Sequence, residues 1–251
     1  YFAATRFKLD DYRPYLFVSS DSGKSWRSIN GDFPTNEITR VLRSDPVSDD
    51  LLFVGTETGI FYSLDDGEQW VRMQGGFPVV PVYDIQIKNE DLAVATHGRS
   101  FWIADDITPL RNMAKKHEVT HGEMLFKPRD TVRQKLHWAT GVFDGDGKNY
   151  SPAFGVGGTT YHKTMSDGQT KNVHLDVGEN PPNGAIIYYW FDEEPEGRVA
   201  LIFRDHDGEP IIKFTNDKDE KPNKKVPTKK GLNRFVWDMH LPAPTAFDPN
   251  L

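Results

Sequence analysis

Three ionisable side chains occupy matching positions in the sequence, each directly after a threonine: Arg6, Glu57 and His97. Converging on one face with Arg99, they could bind an anionic or sugar ligand, or supply an acid and a base. Cleavage of a glycosidic bond needs two carboxylates about 5–10 Å apart. Glu57 is the one carboxylate that the pattern positions for this chemistry, with Glu37 expected nearby on the same face. The alternative interpretation is that these residues are ordinary polar loop tips.

The elements that would position these side chains follow from an internal repeat. Six residues recur with an offset of 44: Ser19, Asp21, Gly23, Trp26, Phe33 and Pro34 return as Ser63, Asp65, Gly67, Trp70, Phe77 and Pro78. A third, partial copy ends at residues 103–106 without the turn and the tryptophan. Each unit predicts four short strands, which in the second copy span residues 39–45, 51–56, 60–65 and 69–73. Four strands in 40 to 45 residues are typical of a β-propeller blade.

The repeated S-x-D-x-G-x-x-W pattern predicts a tight turn between two strands of each unit. Asp21 can accept hydrogen bonds from backbone N–H groups of its own turn, Ser19 adds a hydroxyl group, and Gly23 allows positive φ at little steric cost. Trp26 begins the next strand and is expected to bury its ring between neighbouring sheets. The same roles are predicted in the second copy for Ser63, Asp65, Gly67 and Trp70.

These turns resemble the Asp-box, or bacterial neuraminidase repeat, of sialidases, xyloglucanase-like glycoside hydrolases, sortilin-type receptors and a photosystem assembly factor. Residues 95–111 are similar to the last blade of large bacterial sortilin-like proteins. The resemblance covers residues 1 to about 112 and implies the last blades of a β-propeller. It also implies a secreted, periplasmic or cell-surface bacterial protein. Because functions diverge widely in this superfamily, the resemblance implies a fold more than an activity.

In a propeller blade, the loops between second and third strands share one face with the connections between blades, and the Asp-box turns lie on the opposite face. The residues after the three threonines would therefore occupy equivalent loops on successive blades. A sialidase would need an arginine cluster and a tyrosine nucleophile as well, and the sequence assembles neither.

Two metal-like patterns are interpreted as structural, so that no metal site and no cofactor is expected. Residues 117–121 read H-E-x-x-H, which on a helix binds zinc, but Gly122 should end a helix there and no third ligand follows. We expect a linking turn of helix and loop. Residues 143–149 resemble a calcium loop, yet Lys148 takes the next ligand position and no bidentate glutamate follows, which favours a flexible turn.

The second half of the chain differs from the first in its sequence pattern and lacks the 44-residue repeat. Strands are predicted at residues 184–191, 198–205, 210–216 and 232–242, and the lysine-rich stretch 217–231 is interpreted as a solvated loop or, alternatively, a docking site for an acidic partner. These strands resemble part of an immunoglobulin-like or FlgD-like β-sandwich. The predicted organisation is propeller blades at 1–112, a linker and long irregular excursion at 113–180, and a partial sandwich at 181–251. The chain is therefore expected to be all-β.

Composition narrows the function classes further. Thirty Lys and Arg residues against 37 Asp and Glu give a net charge of −7, which argues against nucleic acid as a partner. No apolar run approaches the roughly 18 residues of a membrane span. With no cysteine, disulfides, thiolate metal sites and cysteine nucleophiles are excluded.

The function hypothesis that these features favour is an extracellular β-propeller module that binds a protein or glycan ligand, or acts as a scaffold, without catalysis. Its other expected partners are the rest of a longer chain or further subunits that complete the propeller. The alternative is the C-terminal part of an Asp-box glycoside hydrolase acting on polysaccharide, with Glu57 as the catalytic candidate. A zinc peptidase using His117 and His121 would require a helix that continues through Gly122.

Overall fold

The structure, a computed structural model, describes residues 1–114, 122–132, 149–150, 159–164, 170–174, 182, 184–220 and 224–241. In this part of the chain, antiparallel strands dominate and one short α-helix accompanies them, so the predicted all-β class is confirmed. The chain divides into two compact units, Tyr1–Thr120 and His121–Leu251.

The first unit contains three antiparallel sheets that follow one another along the chain. The first sheet consists of β1 (Phe2–Arg6), β2 (Asp11–Val18) and β3 (Arg27–Ser28). The second consists of β4 (Thr39–Ser44), β5 (Leu52–Thr56), β6 (Ile60–Ser63) and β7 (Val71–Arg72). The third consists of β8 (Val82–Lys88), β9 (Asp91–Thr96) and β10 (Phe101–Ala104), and helix α1 (Thr108–Ala114) follows it. The four strands predicted for the second repeat are therefore confirmed.

The second sheet is covered on both of its faces. Every residue of β5 is buried, and its side chains alternate between two hydrophobic clusters as strand geometry requires. Leu52 and Val54 pack with residues of the first sheet, whereas Phe53 packs with residues of the third sheet and α1. Removing apolar surface from water stabilises a fold by about 25 cal/mol per Å², so the burial of β5 on both faces contributes to the stability of the unit.

Gly55 allows the second and third sheets to approach closely. A Cβ atom at this position would lie 2.5 Å from Cγ1 of Val82 and 2.7 Å from Cγ1 of Val41. Both distances are too short for carbon atoms, so any side chain at position 55 would push the two sheets apart.

A buried ion pair attaches α1 to the two sheets. The Nε atom of Arg111 donates to the carboxylate of Asp45, 2.9 Å from Oδ2, and its Nη2 donates to the carbonyl oxygen of Asn89 at 2.6 Å. The side chains of Arg111 and Asp45 are 9% and 0% exposed. Asp45 also accepts the backbone N–H groups of Val47 and Ser48 at 2.8 Å. These contacts satisfy both buried charges, which is the condition for tolerating them in a core.

The turns of the two repeats share three hydrogen bonds. In the first turn, the Ser19 hydroxyl donates to Asp21 at 2.8 Å and accepts the N–H of Gly23 at 2.7 Å, while Asp21 accepts the N–H of Ser25 at 2.9 Å. In the second turn, the equivalent distances for Ser63, Asp65, Gly67 and Gln69 are 2.7, 2.9 and 2.9 Å. Gly23 and Gly67 have φ values of +84° and +90°, which few other residues adopt.

The carboxylate of the first turn is held strongly in its ionised form. The hydroxyl and N–H groups of Ser25 and the hydroxyl of Ser19 lower the pKa of Asp21 to about 2. Hydrogen bonds to the charged form have this effect because they are lost when the carboxylate is protonated.

The two repeat tryptophans differ in burial, and the prediction for Trp26 was wrong. Trp70 is 6% exposed, whereas Trp26 is 51% exposed and makes an edge contact with Phe2. The segment after β3 covers Trp70, with Ile29 and Phe33 in the same hydrophobic cluster. Among the described residues, no corresponding segment covers Trp26.

The second unit has its own sheets and its own core. One sheet consists of β11 (Glu123–Leu125), β15 (Ala185–Phe191) and β18 (Gly231–Trp237), and a hairpin consists of β16 (Ala200–Arg204) and β17 (Pro210–Thr215). Their shared core contains Ile187, Tyr189, Phe191, Phe214, Val226 and Phe235. The four strands predicted in this half are thus confirmed. Strand β11 lies in the segment that was predicted to be a linker. It pairs with β15, so it belongs to the sheet of the second unit.

The predicted excursion contains regular structure as well. Strands β12 (Asn149–Tyr150), β13 (Thr159–Thr164) and β14 (Thr170–His174) form a three-stranded antiparallel sheet, so the prediction of an irregular segment was wrong for these residues. Threonine and tyrosine favour strands even without alternation of apolar and polar residues.

In the part of the chain that the structure describes, no helix is both long and apolar enough to cross a membrane.

The repeat provides a matched pair of tryptophan variants. Replacing Trp70 by alanine should destabilise the first unit by about 3–5 kcal/mol, because it opens a cavity between two sheets. Replacing Trp26 by alanine should cost less than about 1 kcal/mol, as for other surface positions. Native-state hydrogen exchange of the β5 amides measures both effects within this unit. Equal loss of protection in the two variants would contradict the difference in burial.

Candidate functional site

Glu57 and His97 begin the loops that follow β5 and β9, at equivalent positions of the second and third sheets. The backbone N–H of Glu57 donates to the carbonyl of Ile38 at 3.1 Å, and that of His97 donates to the carbonyl of Pro81 at 2.9 Å. Arg6 ends the equivalent strand β1 of the first sheet, opposite Asp11, but its side chain lies outside the described residues.

Two further residues reach this end of the sheets through β-bulges. The pairing of β4 with β5 skips Arg40, and the pairing of β8 with β9 skips Tyr83. A bulge leaves one residue of a strand without a partner in the pairing and increases the local twist of that strand. Such bulges often direct a side chain towards a functional site. Sequence reasoning missed both residues. Their spacing of 43 positions, close to the repeat length, was the signal that relates them.

The bulged residues and the loop residues form one cluster, which we call the Arg40 cluster: Arg40, Glu57, Tyr83 and His97. The guanidinium of Arg40 donates to both carboxylate oxygens of Glu57, with Nη2 2.8 Å from Oε1. Its Cζ atom lies 4.6 Å from the centroid of the Tyr83 ring. The Tyr83 ring stacks on His97 with a centroid distance of 5.0 Å and an interplanar angle of 24°. The cluster therefore joins the second sheet to the third.

The cluster is partly buried at one end and open to solvent at the other. The side chain of Arg40 is 18% exposed and that of Glu57 36%, whereas Tyr83 is 49% exposed and His97 lies at the surface. A ligand would therefore meet the imidazole, the tyrosine and the outer part of the carboxylate. A half-exposed aromatic ring beside a few fixed polar groups is a common composition for a binding site.

Electrostatics keep Glu57 ionised. The hydrogen bonds from Arg40 are the largest influence, and with the charges of Arg40 and His97 they hold the pKa of Glu57 below its usual value although partial burial acts in the opposite direction. The same hydrogen bonds raise the pKa of Arg40. A carboxylate in this state accepts hydrogen bonds well and donates a proton poorly.

A neighbouring network supports the loop that carries Glu57. Glu37 accepts a hydrogen bond from the hydroxyl of Thr58 at 2.6 Å and one from Arg72 at 3.3 Å. Arg72 also donates to the hydroxyl of Thr58 at 2.9 Å and to its carbonyl oxygen. Oε2 of Glu37 is buried, and no described residue hydrogen-bonds to it. Glu37 thus contacts Thr58, the residue after Glu57, and its Oε1 atom helps to hold the loop that begins at Glu57.

The remaining predicted residues are Arg99, in the same loop as His97, and the turn residues of the two repeats. Arg99 is in the exposed loop between β9 and β10, where its carbonyl accepts the indole N–H of Trp102 at 3.0 Å. The turn residues and tryptophans of the two repeats lie at the other ends of the strands from the Arg40 cluster, since antiparallel β5 and β6 connect the two ends. These residues are Ser19, Asp21, Gly23, Trp26, Ser63, Asp65, Gly67 and Trp70.

No group of three or more His, Asp or Glu side chains among the described residues could hold a metal ion. The H-E-x-x-H pattern at 117–121 lies outside the described residues, and so does the calcium-like stretch up to residue 148.

Comparison of the chain with protein-family models, curated proteins and solved structures found no match. What the chain binds is therefore inferred from the geometry of its own residues.

The state of Glu57 should depend on Arg40. In the variant Arg40→Met, the pKa of Glu57 should rise towards or above its ordinary value, because partial burial then acts without the guanidinium. Since the pKa is lowered in the folded protein, the stability that the pair contributes is present above the unfolded-state pKa and is lost as the pH falls through the folded-state pKa. Titration of the Glu57 carboxyl carbon by NMR measures the shift.

Arg43→Met is the matched control for this titration. Arg43 lies on the same strand and pairs with Asp84 at 2.5 Å, so its loss should leave the pKa of Glu57 unchanged. An unchanged pKa of Glu57 in Arg40→Met would contradict the assigned cause.

Proposed function

We propose that this chain is part of an Asp-box β-propeller followed by part of a β-sandwich, and that it is a non-catalytic module that binds a glycan at the Arg40 cluster. The architecture is supported by the 44-residue repeat, by the three hydrogen bonds that the two turns share, and by three sheets that pack in succession. The core shared by the sheet and hairpin of the second unit supports the sandwich.

The Arg40 cluster is the observation that carries the binding function. It combines a stacked tyrosine and histidine with an arginine–carboxylate pair at the open end of two adjacent sheets. Sugar hydroxyl groups can donate to the carboxylate and accept from tyrosine, while the rings cover apolar sugar surface. Since bulges and loops of two rigid sheets fix these side chains, little ordering is required when a ligand binds.

The chemistry of Glu57 favours binding over glycoside hydrolysis. A hydrolase needs one carboxyl group with a raised pKa as the acid, and a second carboxylate about 5–10 Å away. The pKa of Glu57 is lowered instead, by the guanidinium that occupies both of its oxygens. Glu37 is held by Thr58 and Arg72, in a role that supports the loop.

The proposed location is outside the cytoplasm, as a secreted, periplasmic or cell-surface protein of a bacterium. This part of the proposal is supported by the Asp-box resemblance alone.

The binding function is tested by screening the intact chain against neutral and acidic oligosaccharides and polysaccharides. Affinity for the glycans that bind is then measured by calorimetry for Tyr83→Ala and His97→Ala. Each variant should lose about tenfold or more in affinity, equivalent to about 1.4 kcal/mol. Trp26→Ala is the matched control, because it removes a half-exposed aromatic ring at the opposite end of the strands; its affinity should equal that of the wild type.

Two results would contradict this proposal. One is unchanged glycan affinity in both Tyr83→Ala and His97→Ala. The other is release of shorter glycans during incubation that Glu57→Gln abolishes, which would establish the hydrolase instead.

A further inference from the structure

A loop of the second unit concentrates positive charge at the surface. Residues 224–230, between β17 and β18, read K-K-V-P-T-K-K, and we call them the lysine loop. Lys224, Lys225, Lys229 and Lys230 are all exposed, and the loop contains no acidic residue. Since the chain as a whole has a net charge of −7, the lysine loop reverses the overall charge locally.

Buried contacts fix the middle of the lysine loop. The side chain of Val226 is 1% exposed and belongs to the core of the second unit, and its backbone N–H donates to the carbonyl oxygen of Thr215 at 2.9 Å. The hydroxyl of Tyr189, which lies in the same core, donates to the carbonyl oxygen of Pro227 at 2.6 Å. The centre of the loop is therefore attached to the core, and the lysines on either side of it remain at the surface.

Asn233 fixes the end of the lysine loop. This buried side chain donates through its amide nitrogen to the carbonyl oxygens of Lys229 at 2.6 Å and Gly231 at 2.9 Å. Its Oδ1 atom accepts the backbone N–H of Lys229 at 3.0 Å. The backbone that carries the lysines is thus ordered before any partner binds, which reduces the entropy lost on binding.

Most of the charge in the lysine loop is not neutralised within the chain. Lys224, Lys225 and Lys229 form no ion pair with any described residue. Lys230 pairs with Glu193 at 2.6 Å, but the two side chains are 65% and 81% exposed. Because ion pairs this exposed contribute little in water, an external anion can replace Glu193.

We propose that the lysine loop binds an acidic polysaccharide through the carboxylate or sulfate groups of that polymer. Lysine ammonium groups act as point charges with three donors each, so they pair with such anions without requiring one planar geometry. The Cα atoms of Lys225 and Lys229 are at most about 14 Å apart, because four residues span no more when fully extended. One stretch of an anionic polymer can therefore contact the lysines on both sides of Val226. The loop includes no residue of the Arg40 cluster, so this inference does not rest on the function proposed for that cluster.

The composition of the loop favours a polysaccharide over other anionic partners. Stable attachment to a lipid surface uses apolar side chains that insert into it, whereas Val226 is buried in the protein. Interfaces between folded proteins are depleted of lysine. Single-stranded nucleic acid binds where bases stack on aromatic rings, and the lysine loop contains none.

The experiment titrates the intact chain with polygalacturonate, with dextran sulfate and with uncharged dextran, using calorimetry. We expect an acidic polymer to bind and dextran not to bind, and the choice between the two acidic polymers distinguishes carboxylate from sulfate as the anion. Affinity should fall about tenfold or more between about 50 and 200 mM salt, because ion pairing with a polyanion releases counterions.

Lysine variants identify the surface. The double variant Lys225→Gln with Lys229→Gln should bind the acidic polymer about fivefold or more weakly, and the corresponding double arginine variant should bind as the wild type does, because it retains both charges. The matched control is Lys8→Gln with Lys88→Gln, which removes two exposed lysines from the first unit. Its affinity should equal that of the wild type, and so should that of Tyr83→Ala.

Three results would overturn the proposal: no binding of either acidic polymer at the lower salt concentration, equal affinity in the loop variant and the lysine control, or equally tight binding of single-stranded DNA or phosphatidylserine vesicles. Loss of polymer binding in Tyr83→Ala, with the loop variant unaffected, would also overturn it. That outcome would place the acidic polysaccharide at the Arg40 cluster, so the two proposals fail separately.

Discussion

The fold of the first unit depends on a strand that is buried on both of its faces. Because β5 lies in the middle of three successive sheets, its alternating side chains belong to two different cores, and neither core is complete without it. Gly55 permits a close approach of the second and third sheets. The residue that follows the strand is Glu57, so the candidate site begins where this fully buried strand ends. The backbone of the candidate site is therefore held in place by the packing of β5, and precise placement of polar groups requires such support.

The Arg40 cluster shows how two sheets can build one site. Neither sheet provides more than a bulged residue and a loop residue, and each pair alone is an ordinary surface contact. The guanidinium connects them, because it donates to the carboxylate of its own sheet and covers the ring of the next. The cluster therefore exists only while the sheets keep their spacing, and the packing around Gly55 bears on the site although it does not touch it.

Much of the fold could be predicted from the sequence because its signals are local. The turns follow from serine, aspartate and glycine at fixed spacing, and the strands around them follow from apolar alternation. The positions of Glu57 and His97 followed from the repeat. The exposure of Trp26 could not be predicted, because burial of this ring requires a second segment that covers it and does not follow from the turn itself. Arg40 and Tyr83 were missed because a bulge is a property of the pairing between two strands. The sequence of one strand does not indicate which of its residues will be left out of that pairing. The strands at residues 159–164 and 170–174 were missed because their sequences are polar.

The pair between Arg111 and Asp45 has a consequence for the order in which the first unit folds. It joins residues 66 positions apart, and Arg111 also binds the carbonyl of Asn89, in the turn between β8 and β9. A guanidinium gains from leaving water only where all of these acceptors are in place. Helix α1 can therefore dock only after the turns of both the second and the third sheet have formed. With seven residues, it is too short to be stable in isolation. We therefore expect α1 to dock after the sheets have formed, and to be the first element of the unit to detach on unfolding.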